Sequence, residues 1–350
     1  MSKKNKIIII IVSYNGKEYW SELIPTLLEE KYQDLDIEIL VVDNNSSDGS
    51  ADYLTRNYPA IHIIRTKDNL GFVGANNIGY KYAKENGADY IYLLNQDTVV
   101  TNGFLRSLYD FAQENKFGTL QSKLRLWSDK DRLNTTGNAI HFLGFGYGQN
   151  ANKLDKNNQQ ISQINYASGA GVFIAMSALK DLGYLFDETM FMYLEDLDLG
   201  WSLSMLGYDS YLIPNSIIYH KYEFKRGMQL LTWFERNRLR VMLKNYKLGT
   251  LLLILPAWLV MELGQIIFAL MNKRLWQKIK SYYFLFSPSQ IKILIKKRRY
   301  IQSKRIRSDR QVVGKFTGLI LFQPLDMWPL KIANIFFFIY WQIIKLFILW

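Results

Sequence analysis

Six consecutive β-branched residues, Ile7–Val12, constrain the fold of this chain more than any other feature. An apolar run without alternation is typical of a strand buried on both faces of a parallel sheet. Three further apolar segments, Ile37–Asp43, Ile61–Arg65 and Tyr90–Asp97, alternate with stretches of helix and turn composition. This βαβαβαβ order predicts a doubly wound, mostly parallel α/β sheet, whose ligands bind beyond the carboxyl ends of the strands.

Polar residues follow each of these predicted strands. They are Tyr14 and Asn15, then Asp43, then Asn69 and Gly71, and finally Asp97. Because parallel strands end at a shared edge, four polar strand ends favour a ligand site over the ordinary polarity of loops. No GxGxxG follows the first strand and no GxxxxGK[ST] is present, which disfavours dinucleotide-binding and P-loop proteins.

The segment LLNQDT places Asn95 and Asp97 two residues apart at the end of the fourth predicted strand. Carboxylate oxygens suit Mg²⁺ or Mn²⁺, and a bound diphosphate can fill the remaining coordination positions. A structural alternative is that Asp97 or Thr98 caps a helix near residues 102–113. His220 ends another apolar run and is a further candidate ligand, although a single histidine is more often structural.

Three carboxylates interrupt the otherwise apolar run FMYLEDLDLGW at Phe191–Trp201. If residues 195–206 form a helix, Glu195 and Asp198 share a face and Asp196 lies about a third of a turn away. The helix dipole favours an acidic residue in the first turn, but three of them exceed what capping needs. We therefore expect one of the three to accept a proton in catalysis.

Composition separates the chain into two parts of opposite charge. Residues 1–220 contain 19 Lys and Arg against 26 Asp and Glu, and residues 221–350 contain 24 against 5. A strongly basic second part predicts a polyanionic partner. The sequence contains no cysteine, which excludes disulfides, thiolate catalysis and Cys-ligated zinc. The N-terminus lacks the cleavage site expected of a signal peptide.

Several ordered blocks of the sequence resemble the family 2 glycosyltransferases of the GT-A fold, and among them the rhamnosyltransferase-like branch. The blocks are IVSYNG, VVDNNSSDGS, NLGFVGANNIG, LLNQDT, GAGVFIAMSALKDLGYLFDETMFMYLEDLDLGWSL and ERNRLR. Each block is loose alone, but their order and spacing together are specific. The resemblance covers residues 6 to 245 and implies a GT-A sheet followed by a separate C-terminal region, with domains at 1–222 and 223–350.

The resemblance also implies a nucleotide site. The corresponding positions here are Tyr14, Asn15, Asp43, Asn69, Gly71, Asn76 and Asn95. Among them, Asp43 is expected to contact the nucleotide base, and the residues from 69 to 76 to line the nucleotide cleft.

The catalytic and metal positions follow from the same resemblance. Asp97 matches the last acid of the family's metal-binding DxD motif, whose first acid is replaced here by Asn95. His220 resembles a histidine that ligates the metal in some members. Asp196 matches the general base, and its neighbour Glu195 is expected to orient the acceptor or tune the base. The implied cofactor is Mg²⁺ or Mn²⁺.

The implied activity is that of an inverting glycosyltransferase, in which a base activates the acceptor hydroxyl and a divalent cation offsets charge on the leaving diphosphate. The donor inferred from the resemblance is dTDP-L-rhamnose; UDP-hexoses and galactofuranose stay open. The processive QxxRW motif is absent at Thr232–Arg240, so we expect one sugar per encounter. An inactive sugar-nucleotide-binding scaffold is the alternative, whereas the Gly-rich signature of sugar-nucleotide pyrophosphorylases is missing.

The second part predicts a membrane partner. Leu248–Met271 is long enough to span a bilayer, but Pro256 and two polar residues favour a broken, re-entrant or interfacial helix pair. Ile332–Trp350 suits an interfacial helix, and nine Lys and Arg within Lys292–Arg310 suit anionic lipid. We expect an enzyme on the cytoplasmic face of the cell membrane, acting on a lipid-linked or oligosaccharide acceptor. A helical subdomain packed on itself or on a second copy in a homo-oligomer is the alternative, and nucleic acid is disfavoured.

Overall fold

The isoleucine run lies at the centre of a ten-stranded sheet. The protein is described by a computed structural model over residues 4–222, 231–321 and 328–350. Within these ranges the strands are β1 (Asn5–Ser13), β2 (Leu35–Asp43), β3 (His62–Arg65), β4 (Tyr90–Asn95), β5 (Thr98–Val100), β6 (Thr119–Leu126), β7 (Leu133–Thr135), β8 (Asn138–Ile140), β9 (Gly146–Gly148), β10 (Ser162–Ile164), β11 (Gly171–Ala175) and β12 (Ser210–His220).

The sheet is mixed rather than wholly parallel. Its order is β10-β12-β6-β11-β4-β1-β2-β3, with β5 paired to β12 and β7 to β6, while β8 and β9 form a separate hairpin. Strands β3, β2, β1 and β4 are parallel, and β11 runs antiparallel to both β4 and β6. Since β12 is parallel to β6, the carboxyl ends of β1, β2, β4, β6 and β12 all meet at one edge. The predicted GT-A-like fold is confirmed.

Helices cover the sheet and form the C-terminal part. The α-helices in the described residues are α1 (Trp20–Leu28), α2 (Ser50–Asn57), α3 (Gly71–Glu85), α4 (Phe104–Glu114), α5 (Met176–Leu182), α6 (Glu195–Met205), α7 (Leu231–Asn245), α8 (Leu248–Met271), α9 (Leu275–Leu285), α10 (Pro288–Lys304), α11 (Asp309–Val313) and α12 (Trp328–Ile344). The alternative role of Asp97 or Thr98 as a helix cap is wrong, because α4 begins at Phe104 after Gly103 and Thr98 lies in β5.

The core of the sheet follows from the first strand. The side chains of Ile7–Ile11 are completely buried, as expected for a strand covered on both faces. Helix α3 crosses this strand closely at Gly79, where a Cβ atom would lie 2.4 Å from a methyl of Ile10. Only glycine allows the helix to approach the strand at this distance.

Residue contacts divide the chain into two units. One comprises Met1–Asn138, Gly148–Leu203 and Tyr208–Tyr222, and the other Ala139–Tyr147, Ser204–Gly207 and Glu223–Trp350. Two internal segments therefore group with the C-terminal helices. The division into domains at residue 222 stays a prediction.

Helix α8 runs without a break through Pro256, so the expected break or re-entrant turn is wrong. Two helical segments, Leu248–Met271 and Leu330–Phe347, are long and apolar enough to cross a membrane by length and composition. The first part of α8 contacts the last part of α12. The Tyr340 hydroxyl donates a hydrogen bond to the Leu253 carbonyl at 2.6 Å.

A closed polar network fixes one side of α8. Glu262 is bound by Arg238 of α7 and by Lys278 of α9. Arg238 also bonds Glu235 at 2.9 Å, and Lys278 bonds Gln265 at 2.6 Å. Burial raises the pKa of Glu235, but Arg238 and Lys278 outweigh burial and lower that pKa to about 2. Two carboxylates and two cations thus balance within an apolar helical unit.

Part of the basic run is used inside the same unit. Arg298 donates to the carbonyls of Leu243 and Tyr246, and Gln302 to that of Asn245 at 2.8 Å. These are carbonyls of the last turn of α7 and its C-terminal flank, which have no partner inside a helix. Arg305 binds Asp309. The basic run therefore caps α7 as well as contributing exposed charge.

Candidate active site

The sheet brings the predicted strand-end residues together. Ser13 lies in register with Asp43, and Val12 with Asn95. Tyr14 and Asn15 follow directly after β1. The polar edge predicted from the sequence is therefore a single continuous edge.

The turn after β1 is held by two neighbouring strand ends. The Tyr14 N–H donates to Oε1 of Gln96 at 3.0 Å, and the Gln96 amide donates back to the Tyr14 carbonyl at 3.1 Å. Asn15 has a φ of 49°, and its Oδ1 accepts from the Ser47 N–H at 2.8 Å. Gln96 was not predicted from the sequence, because its contact depends on β1 and β4 being neighbours.

Asp43 is a buried carboxylate with an unused acceptor. Its side chain is 4% exposed, and Oδ2 accepts from the Ser46 N–H at 3.3 Å. Within the described residues, Oδ1 has no hydrogen-bond partner. A buried acceptor without a donor is unfavourable by about 1–3 kcal/mol, so this atom is suited to a donor supplied by a ligand.

The loop before α3 is shaped by an asparagine pair. Asn44 donates to Oδ1 of Asn69 at 2.9 Å, and the same Oδ1 accepts from the Gly71 N–H at 2.9 Å. Asn44 was not predicted to have this role. Gly71 has a φ of +72°, and a Cβ there would lie 2.3 Å from the Phe191 carbonyl oxygen. Asn76 is buried in α3 and donates to the carbonyl of Phe72 in its own helix.

Asn95, Asp97 and His220 form a cluster. Nε2 of His220 lies 3.3 Å from Oδ1 of Asp97 and 3.5 Å from the Asn95 amide nitrogen. On its other side, Nδ1 of His220 lies 3.0 Å from Oδ1 of Asn134. His220 is buried, whereas Asp97 is partly exposed.

The donor set of this cluster fits a divalent cation. Octahedral ligands about 2.1 Å from a metal lie about 3 Å apart when adjacent, close to the Asp97–His220 separation. Carboxylate oxygen and imidazole nitrogen both suit Mn²⁺. In the described ranges no group of three or more His, Cys, Asp and Glu side chains could hold a metal. Asn95 and ligand oxygens would complete the coordination.

Asp196 opens α6 beside a glycine loop. The Gly169 N–H donates to its Oδ2 at 3.3 Å, and Asp196 is partly exposed while Glu195 is buried. Tyr193 and Leu194, immediately before the helix, have φ values of 70° and 63°. Two successive non-glycine residues in the left-handed region are strained, and such strain is concentrated at functional sites.

One loop links Asp196 to the cluster of Asn95, Asp97 and His220. Gly169 donates to Asp196, and the next residue, Ala170, accepts from the Asn95 N–H at 3.2 Å. The carboxylate and the cluster therefore flank the same short segment. A carboxylate and a cluster that suits a cation, both bonded to one segment, could together serve the transfer of a group between an acceptor hydroxyl and a diphosphate.

A family model, Glycosyl transferase family 2, matches residues 8–183, half of the chain. The chain belongs to this family. The matched range contains the polar strand-end residues from Tyr14 to Asp97. Asp196, Glu195 and His220 lie beyond it, so family 2 membership alone assigns them no role.

Relatives within the family agree with the rhamnosyltransferase-like resemblance. The chain is 25% identical over 200 residues to the low-salt glycan biosynthesis hexosyltransferase Agl10 of Haloferax volcanii, covering 54% of this chain and 59% of the relative. It is 26% identical over 206 residues to an N-acetylglucosaminyl-diphospho-decaprenol L-rhamnosyltransferase of Mycobacterium tuberculosis, covering 53% and 67%. The match thus spans less than two thirds of the Haloferax relative.

A solved structure supports the fold. The mannosyltransferase PcManGT from Pyrobaculum calidifontis, in complex with GDP-Man and Mn²⁺, aligns with a TM-score of 0.51 at 13% identity. The alignment covers 87% of this chain and 86% of that one. At this identity the likeness concerns the fold alone.

Proposed function

We propose that this family 2 glycosyltransferase moves a sugar, by inversion, from a nucleoside diphosphate donor to a glycan acceptor in cell-surface polysaccharide synthesis. The proposal rests on the Gly169–Ala170 segment, which bonds Asp196 through the Gly169 N–H and, through the Ala170 carbonyl, the backbone of Asn95, two residues before Asp97. The donor we infer is dTDP-L-rhamnose and the acceptor a lipid-linked glycan, supported by the names of the relatives. One sugar is transferred per encounter.

Asp43 and its neighbours bind the nucleotide. The unused Oδ1 of Asp43 accepts a hydrogen bond from an N–H of the base, and the backbone around Tyr14 and Asn15 lies beside it. The hydrogen bond between Asn69 and Gly71 holds the loop before α3, and Asn76 stabilises the first turns of α3.

Asp97 and His220, with Asn95, hold a divalent cation, Mg²⁺ or Mn²⁺. When bound, the cation offsets the charge that develops on the leaving diphosphate. The Pyrobaculum mannosyltransferase, which shares the fold, was solved with GDP-Man and Mn²⁺, which agrees with a divalent cation beside a sugar nucleotide.

Asp196 takes the proton of the acceptor hydroxyl as its oxygen attacks the anomeric carbon. The Gly169 and Leu197 N–H groups hold one oxygen each of this carboxylate, at 3.3 and 2.8 Å, which orients the base. Glu195, buried beside it, positions the acceptor side of the site or tunes the base.

The C-terminal helices bind one leaflet of an anionic membrane at the cytoplasmic face. On α8, the polar network occupies one side, while Leu252, Leu255, Leu259 and Leu263 are exposed at helical spacing. A charged network beside the middle of α8 disfavours crossing the hydrocarbon core, so the helix lies along the interface. Exposed Lys292, Lys296 and Arg299 recur at i, i+4 and i+7 on α10 and bind anionic head groups.

Calorimetric titration of the detergent-purified protein with UDP, dTDP, GDP and NAD tests the proposal. We expect one nucleoside diphosphate to bind in the presence of Mn²⁺, dTDP most tightly, and Asp97→Ala to remove the Mn²⁺ dependence. Binding of a nucleotide without turnover would favour the inactive scaffold. Binding of NAD alone, or of none, would contradict a sugar-nucleotide transferase.

A further inference from the structure

His220 is held at both ring nitrogens by groups from different strands. Nε2 faces Oδ1 of Asp97 at 3.3 Å, and Nδ1 faces Oδ1 of Asn134 at 3.0 Å. Asn134 lies on β7, which pairs with β6, and β6 also pairs with the strand that His220 ends. The asparagine is thus placed by the sheet rather than by a flexible loop.

Both oxygens that face the ring of His220 are acceptors, so a cation at Nε2 decides which ring nitrogen carries hydrogen. When a neutral imidazole offers its Nε2 lone pair to a cation, its hydrogen lies on Nδ1, which donates to the Asn134 carbonyl. This lone pair faces a carboxylate oxygen, an arrangement that is favourable when a cation lies between them. Histidines that bind metals commonly donate their other N–H to such a partner, which fixes the tautomer and the ring orientation.

We propose that Asn134 is a positioning residue for the divalent cation site, holding His220 in the tautomer that binds metal through Nε2. The inference rests on the proposed function, since it needs the cation to bind at Asp97 and His220. It adds a residue that none of the sequence motifs marks, because its link to His220 arises only when β7 and β12 both pair with β6.

Mn²⁺ binding measured by electron paramagnetic resonance, without any turnover, tests the proposal. Asn134→Leu removes the acceptor and is expected to weaken Mn²⁺ affinity about 10–100-fold. Asn134→Asp keeps an acceptor facing Nδ1 and is expected to bind within about threefold of the wild type. Asn102→Leu, at an exposed asparagine in the turn before α4, is the matched control and is expected to leave affinity unchanged.

The tautomer itself is observable in the unaltered protein by ¹⁵N NMR of the imidazole, with nucleotide and diamagnetic Mg²⁺ bound. We expect hydrogen on Nδ1 of His220 in the wild type. Hydrogen on Nε2, or Mn²⁺ binding by Asn134→Leu equal to the wild type, would overturn this inference alone. If the wild type does not bind Mn²⁺ even with nucleotide present, the divalent cation site of the proposed function is contradicted, and so is this inference.

Discussion

The side chains of Asp97 and His220 lie 3.3 Å apart, although the strands from which they come are not neighbours in the sheet. Asp97 follows β4 and His220 ends β12, with β11 and β6 between those strands in the sheet. The short strand β5 explains the contact, because it leaves β4 and pairs with β12, placing Thr98 opposite His220. The candidate cation site is therefore a consequence of this crossing.

Gly71 and Gly87 provide a matched test of the loop before α3. Both have positive φ, +72° and +68°, so alanine at either costs about 1 kcal/mol. Only at Gly71 would the new Cβ meet the Phe191 backbone, at 2.3 Å, which adds about 1–3 kcal/mol. Urea unfolding should therefore show a larger loss for Gly71→Ala, together with weaker nucleotide binding. Equal losses for the two variants would contradict the proposed close packing.

Removing an oppositely charged pair from the polar network on α8 should lower the unfolding free energy less than removing one charge. Glu262→Leu or Lys278→Met alone leaves an uncompensated buried charge and should cost about 3–5 kcal/mol of unfolding free energy. The double variant keeps Glu235 paired with Arg238 and should recover most of that loss. Thermal unfolding in detergent measures all three. Additive losses in the double variant would argue against a charge-balanced network.

The buried His141 should make the C-terminal unit less stable in acid. Burial lowers the pKa of its imidazole to about 3, and Nδ1 already accepts from the Leu143 N–H at 3.1 Å. Between the ordinary value of 6.5 and pH 3, the unfolded chain binds a proton here that the folded chain does not, so the unfolding free energy falls as pH falls.

From pH 7 to pH 5 this group should remove about 2 kcal/mol of stability. His141→Gln should flatten that dependence in urea unfolding, whereas His62→Gln, at an exposed histidine, serves as the control. An unchanged slope in His141→Gln would show that other groups govern the acid response.

Local pattern is sufficient to predict the four parallel strands β1 to β4 and their polar edge. Continuous apolar runs predict β1, β2 and β4 because a strand buried on both faces requires such residues, and a shorter run predicts the partly exposed edge strand β3. Because these strands are parallel, their carboxyl ends lie at the same edge of the sheet. For this reason the sequence by itself places Asp43 and Asp97 at one edge of the sheet.

Contacts that depend on strand order could not be predicted in this way. Gln96, Asn44 and Asn134 are ordinary polar residues in sequence, and each acquires its role from a neighbour brought by the sheet. Pro256 was misleading as a sign of a break, since α8 continues across it from Leu248 to Met271. The basic run was predicted only to bind anionic lipid, but Arg298 also donates to a backbone carbonyl at the C-terminal end of α7.

The exposed cations of α10 should determine the lipid preference. Changing Lys292, Lys296 and Arg299 together to Gln removes three charges worth about 1 kcal/mol each near an anionic surface. Sedimentation with vesicles containing phosphatidylserine should show about 100-fold weaker binding. Binding to neutral vesicles should change little.

A control triple variant tests whether removing any three surface charges would weaken vesicle binding equally. Lys81, Lys84 and Lys116 are exposed lysines of the N-terminal unit, and their change to Gln should leave vesicle binding intact. A similar loss in both triple variants would point to net charge rather than to α10. Binding unaffected by either would contradict a membrane role for this helix.

Asp196 is the proposed base of the sugar transfer. The measurement is release of nucleoside diphosphate and labelling of a lipid-linked acceptor from dTDP-rhamnose and UDP-sugars, comparing the wild type with Asp196→Asn. We predict transfer by the wild type and a loss of about 10²–10⁴-fold in the variant, with unchanged Mn²⁺-dependent nucleotide binding. Equal transfer rates in the two proteins would contradict the account.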